Sequence, residues 1–403
     1  MTIMRGALIL VLLLTARLVP SARGAEFDPS ETPPRQPLLE GRQVFQAKGC
    51  VRCHSVREAG SAAQVGPDLA RSGAWGDVMQ FAGSLWNHTP AMAAKMRDLG
   101  IEHPTVSPDE MKKIAGYLFA VRFFEDPGNV SRGRELFEQR SCAHCHQLGG
   151  RGGTVGPRLD ELKDSASSAF MAQALWNHGP EMAVKMAEQK VERPRLGGQD
   201  VADIVAYIRG DARDAGSREL LYAQAGSPRA GETIFKAKGC SQCHAIAGRG
   251  GTIGPDLGVQ RPRANVAEMA AALWNHGPTM WAKMKERGVR VPKLSDAEMA
   301  DLLAYLYFVQ YMGQSGNPTR GRELFRQKSC TECHGAGSPG PKGGADLAVS
   351  DALRSPVYWA AAMWNHPAGP EPKEPGTPPA RARFDDDEMR DLVAFLHSAG
   401  ARK

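Results

Sequence analysis

The sequence predicts an all-α protein built from four tandem copies of one small unit. Three observations carry that expectation. The pattern Cys-x-x-Cys-His begins at Cys50, Cys142, Cys240 and Cys330, at intervals of 92, 98 and 90 residues. The tripeptide Trp-Asn-His returns at Trp86, Trp176, Trp274 and Trp364. Around these landmarks apolar residues recur three to four positions apart, and no segment alternates as a strand would.

The amino terminus comes first. Residues 1–24 read as a secretory signal, with Arg5, an apolar run from Ala7 to Ala16, and a small-x-small site at Ala22-Arg23-Gly24. That run is about half of the ~20 residues a membrane span needs. The expected product is exported, periplasmic or otherwise outside the cytoplasm, with no membrane span after cleavage. Residues 25–38, rich in proline and charge, form a flexible lead-in. Four units are then expected at 39–125, 131–211, 228–312 and 318–399. The long connection from Asp211 to Ser227 divides them into two pairs.

Within each unit the order of parts repeats. A helix such as GRELFEQRSC runs into the cysteine motif, with Gly41, Gly133, Gly231 or Gly321 nine residues before the first cysteine. Phe45, Phe137, Phe235 or Phe325 stands five residues before it. A Gly/Pro loop follows. A second helix ends near Trp-Asn-His, where Pro90, Pro180 or Pro278 is expected to bend or restart it. The last helix, SDAEMADLLAYLYFV in the third copy, starts on a capping serine. It carries Tyr117, Tyr207, Tyr305 or Phe395.

Composition narrows the function classes. A chain of 403 residues that is 42% hydrophobic and 23% charged excludes general disorder and fibres. The +6 net charge loses three arginines with the signal, leaving 47 basic against 44 acidic residues. That balance gives no reason to expect nucleic acid. Eight cysteines are too sparse for a disulfide scaffold. All eight belong to the repeated motif.

Cys-x-x-Cys-His is the attachment signature of c-type haem. The thiols of Cys50, Cys53, Cys142, Cys145, Cys240, Cys243, Cys330 and Cys333 would bond two to each haem as thioethers. His54, His146, His244 and His334 would be proximal iron ligands. A thioredoxin-like pair would need a strand–helix setting and one copy. A zinc site would need paired motifs, and these stand about 90 residues apart.

Each unit resembles a class I cytochrome c domain, and together the four cover nearly all of the mature chain. The resemblance implies a small helical bundle around one covalent haem per unit, hence four haem c groups and their iron. It implies that the early glycine lets the last helix cross closely, and that each phenylalanine packs on its Tyr or Phe partner. Gly66-Pro67, Gly156-Pro157 and Gly254-Pro255 match the place where a proline carbonyl accepts the proximal histidine N–H. Unit four has Gly344-Ala345 there.

The resemblance also implies a methionine as sixth ligand. Units one to three offer two each, a helical turn apart: Met92 and Met96, Met182 and Met186, Met280 and Met284. The first of each pair resembles the short approach of small bacterial family members and is favoured; the second has a familiar spacing too, and both could be core. His88, His178, His276 and His366 are the rivals, placed alike in all four units. The family's helix carries a surface residue there. The adjacent tryptophans are expected to wall the haem. Unit four follows its tripeptide with a Pro-rich stretch without methionine, so its haem is either His334/His366-ligated or five-coordinate. Met363 and Met389 are expected in the core, and His103, His144 and His397 on the surface.

The expected function is electron transfer by an exported four-haem carrier, relaying electrons between a redox protein donor and acceptor. A membrane respiratory complex is one candidate partner. The alternatives are a haem enzyme, peroxidase or small-oxyanion reductase, and a redox subunit of a membrane complex with an open fourth haem.

Overall fold

The computed structural model describes residues 35–57, 65–72, 75–124, 126–210, 226–258, 264–341, 343–366, 382–385 and 387–401. The expected signal and residues 25–34 lie outside the described residues, as do residues 211–225 of the long connection; residues 35–38, expected in the flexible lead-in, instead form the start of the first helix. Among the described residues, twelve longer helices form four sets of three. Unit one has α1 (Arg35–Ala47), α2 (Val78–Asp98) and α3 (Pro108–Phe123). Unit two has α4 (Val130–Gln139), α5 (Ser168–Glu188) and α6 (Gly198–Arg209). Unit three has α7 (Pro228–Ala237), α8 (Val266–Glu286) and α9 (Asp296–Phe308). Unit four has α10 (Pro318–Gln327), α11 (Pro356–Asn365) and α12 (Glu388–Gly400). Among the described residues the protein is all-α apart from two short hairpins.

Side-chain oxygens start these helices by taking backbone N–H groups that have no partner within the first turn. Asp77 accepts from Met79 and Gln80 at the start of α2, both at 2.9 Å. Ser107 and Glu110 form a reciprocal capping box on α3. Asn265–Glu268 and Ser295–Glu298 do the same on α8 and α9.

Each unit is closed by its first helix crossing its last. A side chain on Gly41, Gly133, Gly231 or Gly321 would put its Cβ within 2.2 Å of a backbone carbonyl of the last helix. Beside each crossing the expected aromatic pair is formed. Ring centroids stand 5.9 Å apart for Phe45–Tyr117, 5.6 Å for Phe137–Tyr207, 5.7 Å for Phe235–Tyr305 and 5.6 Å for Phe325–Phe395.

The middle helices depart from the expectation. Pro90, Pro180 and Pro278 lie inside α2, α5 and α8, which continue for two further turns instead of breaking. A proline frees the carbonyl four residues before it, so an interior proline persists where that carbonyl finds another donor. In α8 the donor comes from outside the unit. Arg193 donates to the Trp274 carbonyl at 2.9 Å, with its guanidinium 3.2 Å from the Trp274 ring centre.

Two hairpins follow the cysteine motifs of units two and three. β1 (Gln147–Leu148) pairs with β2 (Arg151–Gly152), and β3 (Ala245–Ile246) with β4 (Arg249–Gly250), both antiparallel. Their two-residue turns have positive φ at Gly149 and Gly150 and at Ala247 and Gly248, as the twist of a tight hairpin requires.

The units associate as two pairs, but one with four and two with three, not the consecutive pairs that a divide at residues 211–227 implies. Middle helix packs on middle helix, α2 on α11 and α5 on α8. The Trp-Asn pair of each unit reaches the neighbour's loop before the last helix. Trp86 Nε1–H donates to Ala382 (2.7 Å) and Trp364 Nε1–H to Pro104 (2.8 Å). Trp176 donates to Pro292 (2.8 Å) and Trp274 to Pro194 (2.7 Å). Each asparagine carboxamide then gives and takes one bond with a single backbone residue. Asn87 holds Phe384, Asn365 holds Val106, Asn177 holds Leu294 and Asn275 holds Leu196.

Units one and three also touch. Tyr307 Oη–H donates to the Phe119 carbonyl at 2.7 Å, and the Tyr311 ring meets Phe119 edge-on at 4.2 Å. The spatial succession is therefore four, one, three, two. Replacing Asn177 with Leu leaves the Leu294 N–H unmatched at a buried interface, at about 1–3 kcal/mol, while the Leu294 carbonyl keeps the Gln173 side-chain N–H at 3.0 Å. Hydrogen exchange should show faster exchange at Leu294 and along α5 and α8, with α2 and α11 unchanged. Gly231→Val should cost more, since the neighbour it meets is backbone, and thermal melts of the holoprotein should register the loss.

Candidate haem-attachment sites

The geometry of each site begins one residue before the first cysteine. Gly49, Ser141, Gly239 and Ser329 all take the left-handed backbone conformation, with φ of 74°, 62°, 79° and 57°. That reversal ends the first helix and starts a single tight turn over the cysteine motif. The turn is closed by the proximal histidine's own backbone N–H. His54, His146, His244 and His334 donate to the carbonyl of the first cysteine at 3.0, 2.9, 3.0 and 2.8 Å.

The imidazoles are fixed from behind. His54 Nδ1–H donates to Pro67 (3.1 Å), His146 to Pro157 (3.0 Å) and His244 to Pro255 (3.0 Å). In unit four the acceptor is the Ala345 carbonyl, 3.2 Å from His334 Nδ1. A carbonyl can only accept, so each ring keeps its proton on Nδ1 and leaves the Nε2 lone pair for a metal. The glycine before each proline has its own reason. A Cβ on Gly66, Gly156 or Gly254 would lie about 2.4–2.5 Å from the histidine Cε1.

None of the eight cysteines is paired in a disulfide. Burial pushes the first of each pair, Cys50, Cys142, Cys240 and Cys330, up to about 11. No grouping of three His, Cys, Asp or Glu side chains suited to a metal ion occurs among the described residues. Two thiols, one oriented imidazole and a neighbouring apolar core fit a covalently held haem iron.

The three methionine pairs of α2, α5 and α8 are half-buried and pack against the core. The two members of each pair are equally placed in that respect. His88, His178 and His276 are exposed on the same helices. His88 Nδ1–H donates back to Ser84 (2.8 Å) and His276 Nδ1–H to Ala272 (2.9 Å). His366 lies elsewhere. α11 stops at Asn365, and the His366 ring centre stands 6.1 Å from that of His334.

The tryptophans, expected as apolar walls, also carry a directed bond out of their own unit. His103, expected on the surface, is half-buried and stacks on Trp364 of unit four at 4.4 Å. Burial holds its imidazole below the usual range.

A basic residue two positions before each first cysteine links the motif to the loop that the neighbour's asparagine grips. Lys48 donates to Thr105 and pairs with Glu110, both at 2.8 Å. Lys238 donates to Lys293 at 2.9 Å and pairs with Glu298 at 2.8 Å. Lys328 pairs with Glu388 at 2.9 Å, and Arg140 with Asp200 at 3.3 Å. The Lys48 hydrogen bond holds Glu110 below the usual carboxylate range, and Lys238 does the same for Glu298. These ties are invisible in the motif itself, although their spacing from it is constant.

Taken together, fold and site define a helical haem-attachment domain repeated in tandem. The Cytochrome c family matches residues 38–121, 130–210, 228–309 and 318–400. The chain belongs to the cytochrome c family. It is a multi-domain class I cytochrome c whose chemistry is haem-based electron transfer, with covalent haem c and iron as the cofactor. No curated protein and no solved structure matches it. No helix among the described residues is long and apolar enough to cross a membrane.

Ser141 and Ser329 occupy a backbone conformation that costs an L-residue about 1–2 kcal/mol. The equivalent residues in units one and three are glycines. Ser141→Gly and Ser329→Gly should therefore each stabilise their unit by about 0.5–1 kcal/mol, after the extra unfolded-state entropy of glycine. A rise in melting temperature with unchanged haem spectra would be the sign.

Proposed function

We propose that the chain is exported and carries four covalent haems, one in each unit, passing electrons between a redox protein donor and acceptor. The observation that supports this reading most directly is the fourfold recurrence of the oriented histidine beside its two cysteines. The haem supplies one-electron chemistry when bound. The chain's own residues do the rest. Cys50 and Cys53 and their counterparts would hold the haem, and the Pro67, Pro157, Pro255 and Ala345 carbonyls would keep each imidazole aimed and electron-rich. Met92, Met182 and Met280 are the favoured sixth ligands of units one to three, with Met96, Met186 and Met284 one turn further along.

The spatial succession suggests the route. Unit four meets unit one, unit one meets unit three, and unit three meets unit two, so electrons would enter and leave at units four and two. A membrane respiratory complex is a suitable partner at either end. The protein acts in this reading as a carrier, not an enzyme.

The exported protein should have the mass of the chain from Ala25 plus four haems. A redox titration should resolve more than one midpoint. Met92→Ala should abolish the thioether–iron charge-transfer band of one haem, and Met96→Ala should leave it. The reverse pattern would move the ligand to the second methionine, and a mass with fewer haems would sink the four-haem reading.

A further inference from the structure

We infer that the iron of the fourth haem is held between His334 and His366, and that Trp86 of unit one positions the second of these rings. This rests on the reading that unit four carries a haem. Its first support is where the helix stops. In units one to three a residue separates the tripeptide histidine from proline, as in His88-Thr89-Pro90, and the helix runs on through both. In unit four Pro367 follows His366 directly. A residue before proline is pushed out of the helical conformation. His366 accordingly has φ −61° and ψ 126°, and α11 ends about three turns short of its counterparts.

The second support is distance. A histidine–metal bond is about 2 Å and a ring nitrogen lies roughly 1 Å from its ring centre, so imidazoles facing each other across one metal ion have centres about 6 Å apart. The observed separation is 6.1 Å, with the ring planes at 59°. The counterparts His88 and His276 are exposed and bonded back onto their own helices. The other donors of unit four are committed elsewhere. Met363 and Met389 are buried core, and Met389 Sδ accepts the Trp359 indole N–H at 3.0 Å.

The third support lies across the interface. The Trp86 ring meets His366 edge-on at 5.0 Å while its N–H donates to Ala382. One side chain of unit one thus contacts both the ligand and the segment that returns to α12. Replacing thioether by imidazole lowers a haem potential, so the fourth haem should hold the lowest midpoint of the set.

The test uses the intact holoprotein, with four haems verified by mass. Near-infrared magnetic circular dichroism and electron paramagnetic resonance should show one bis-imidazole ferric haem per molecule. Carbon monoxide should bind none of the haems rapidly. His366→Gly should lose that signal, raise the lowest midpoint and open one haem per molecule to carbon monoxide, and added imidazole should restore the signal. Trp86→Leu should shift the same signal and midpoint alone, and His88→Ala should change neither. A wild-type protein with one high-spin ferric haem, or a bis-imidazole signal that survives in His366→Gly, would overturn the inference. A mass showing three haems would overturn the four-haem reading instead.

Discussion

The reciprocal grip of an asparagine carboxamide on one backbone residue of the neighbouring unit is the constraint from which the rest of the architecture follows. A carboxamide offers a donor and an acceptor side by side, matching the C=O and N–H of a residue in an extended loop. Satisfying both fixes the distance and the direction of approach. The four asparagines sit on the four middle helices, so the grip decides how those helices cross. It also reads through to the haem end, because the gripped loop is tied by Lys48, Arg140, Lys238 or Lys328 to the first helix just before the cysteines, directly or through the acid that follows it. Recognition of backbone leaves the loop's side chains free to differ, as Val106, Leu196, Leu294 and Phe384 do.

Two interfaces built on the same grip must still avoid exchanging partners. The outer pair has a buried ion pair between Asp77 of unit one and Arg390 of unit four. The positions equivalent to Asp77 are Ser167, Asn265 and Ser355 elsewhere, so no other unit can offer that charge. A buried pair of this kind contributes little net stability, but a wrong partner leaves one charge stranded, which costs about 3–5 kcal/mol. The inner pair uses shape. Gly179 and Gly277 leave room for the Trp281 ring, which a Cβ on either would strike within 2.7 Å. Arg193 adds its guanidinium to Trp274, and burial pulls it down to about 10.

The parts legible in sequence were those whose causes are local or repeated. The glycine at the helix crossing and the phenylalanine beside it sit at constant distances from the cysteine motif, and the carbonyl behind each histidine follows that histidine by 11 or 13 residues. The Trp-Asn grip was hidden for a physical reason: its partners lie 79 to 297 residues away in other units, and a single chain does not announce which copy faces which. The continuous helices through Pro90, Pro180 and Pro278 were missed because a freed carbonyl can be repaired from outside, as Arg193 does. His103 was misplaced for the same reason, since its stacking partner belongs to unit four. The end of α11 was legible after all, in the single-residue advance of proline from Pro90's position to Pro367's.

The pairing is nested: units two and three close on each other inside the span that units one and four must bridge. During synthesis the inner pair can form as soon as its second member emerges, since domains tend to fold in order from the amino terminus. Unit one has to wait, with Asp77, Trp86 and Asn87 facing water, until the last stretch of chain arrives. A chain cut short before unit four would keep a sound inner pair and a unit one held only at its contact with unit three. The fold thus ties completion of its first domain to completion of its last.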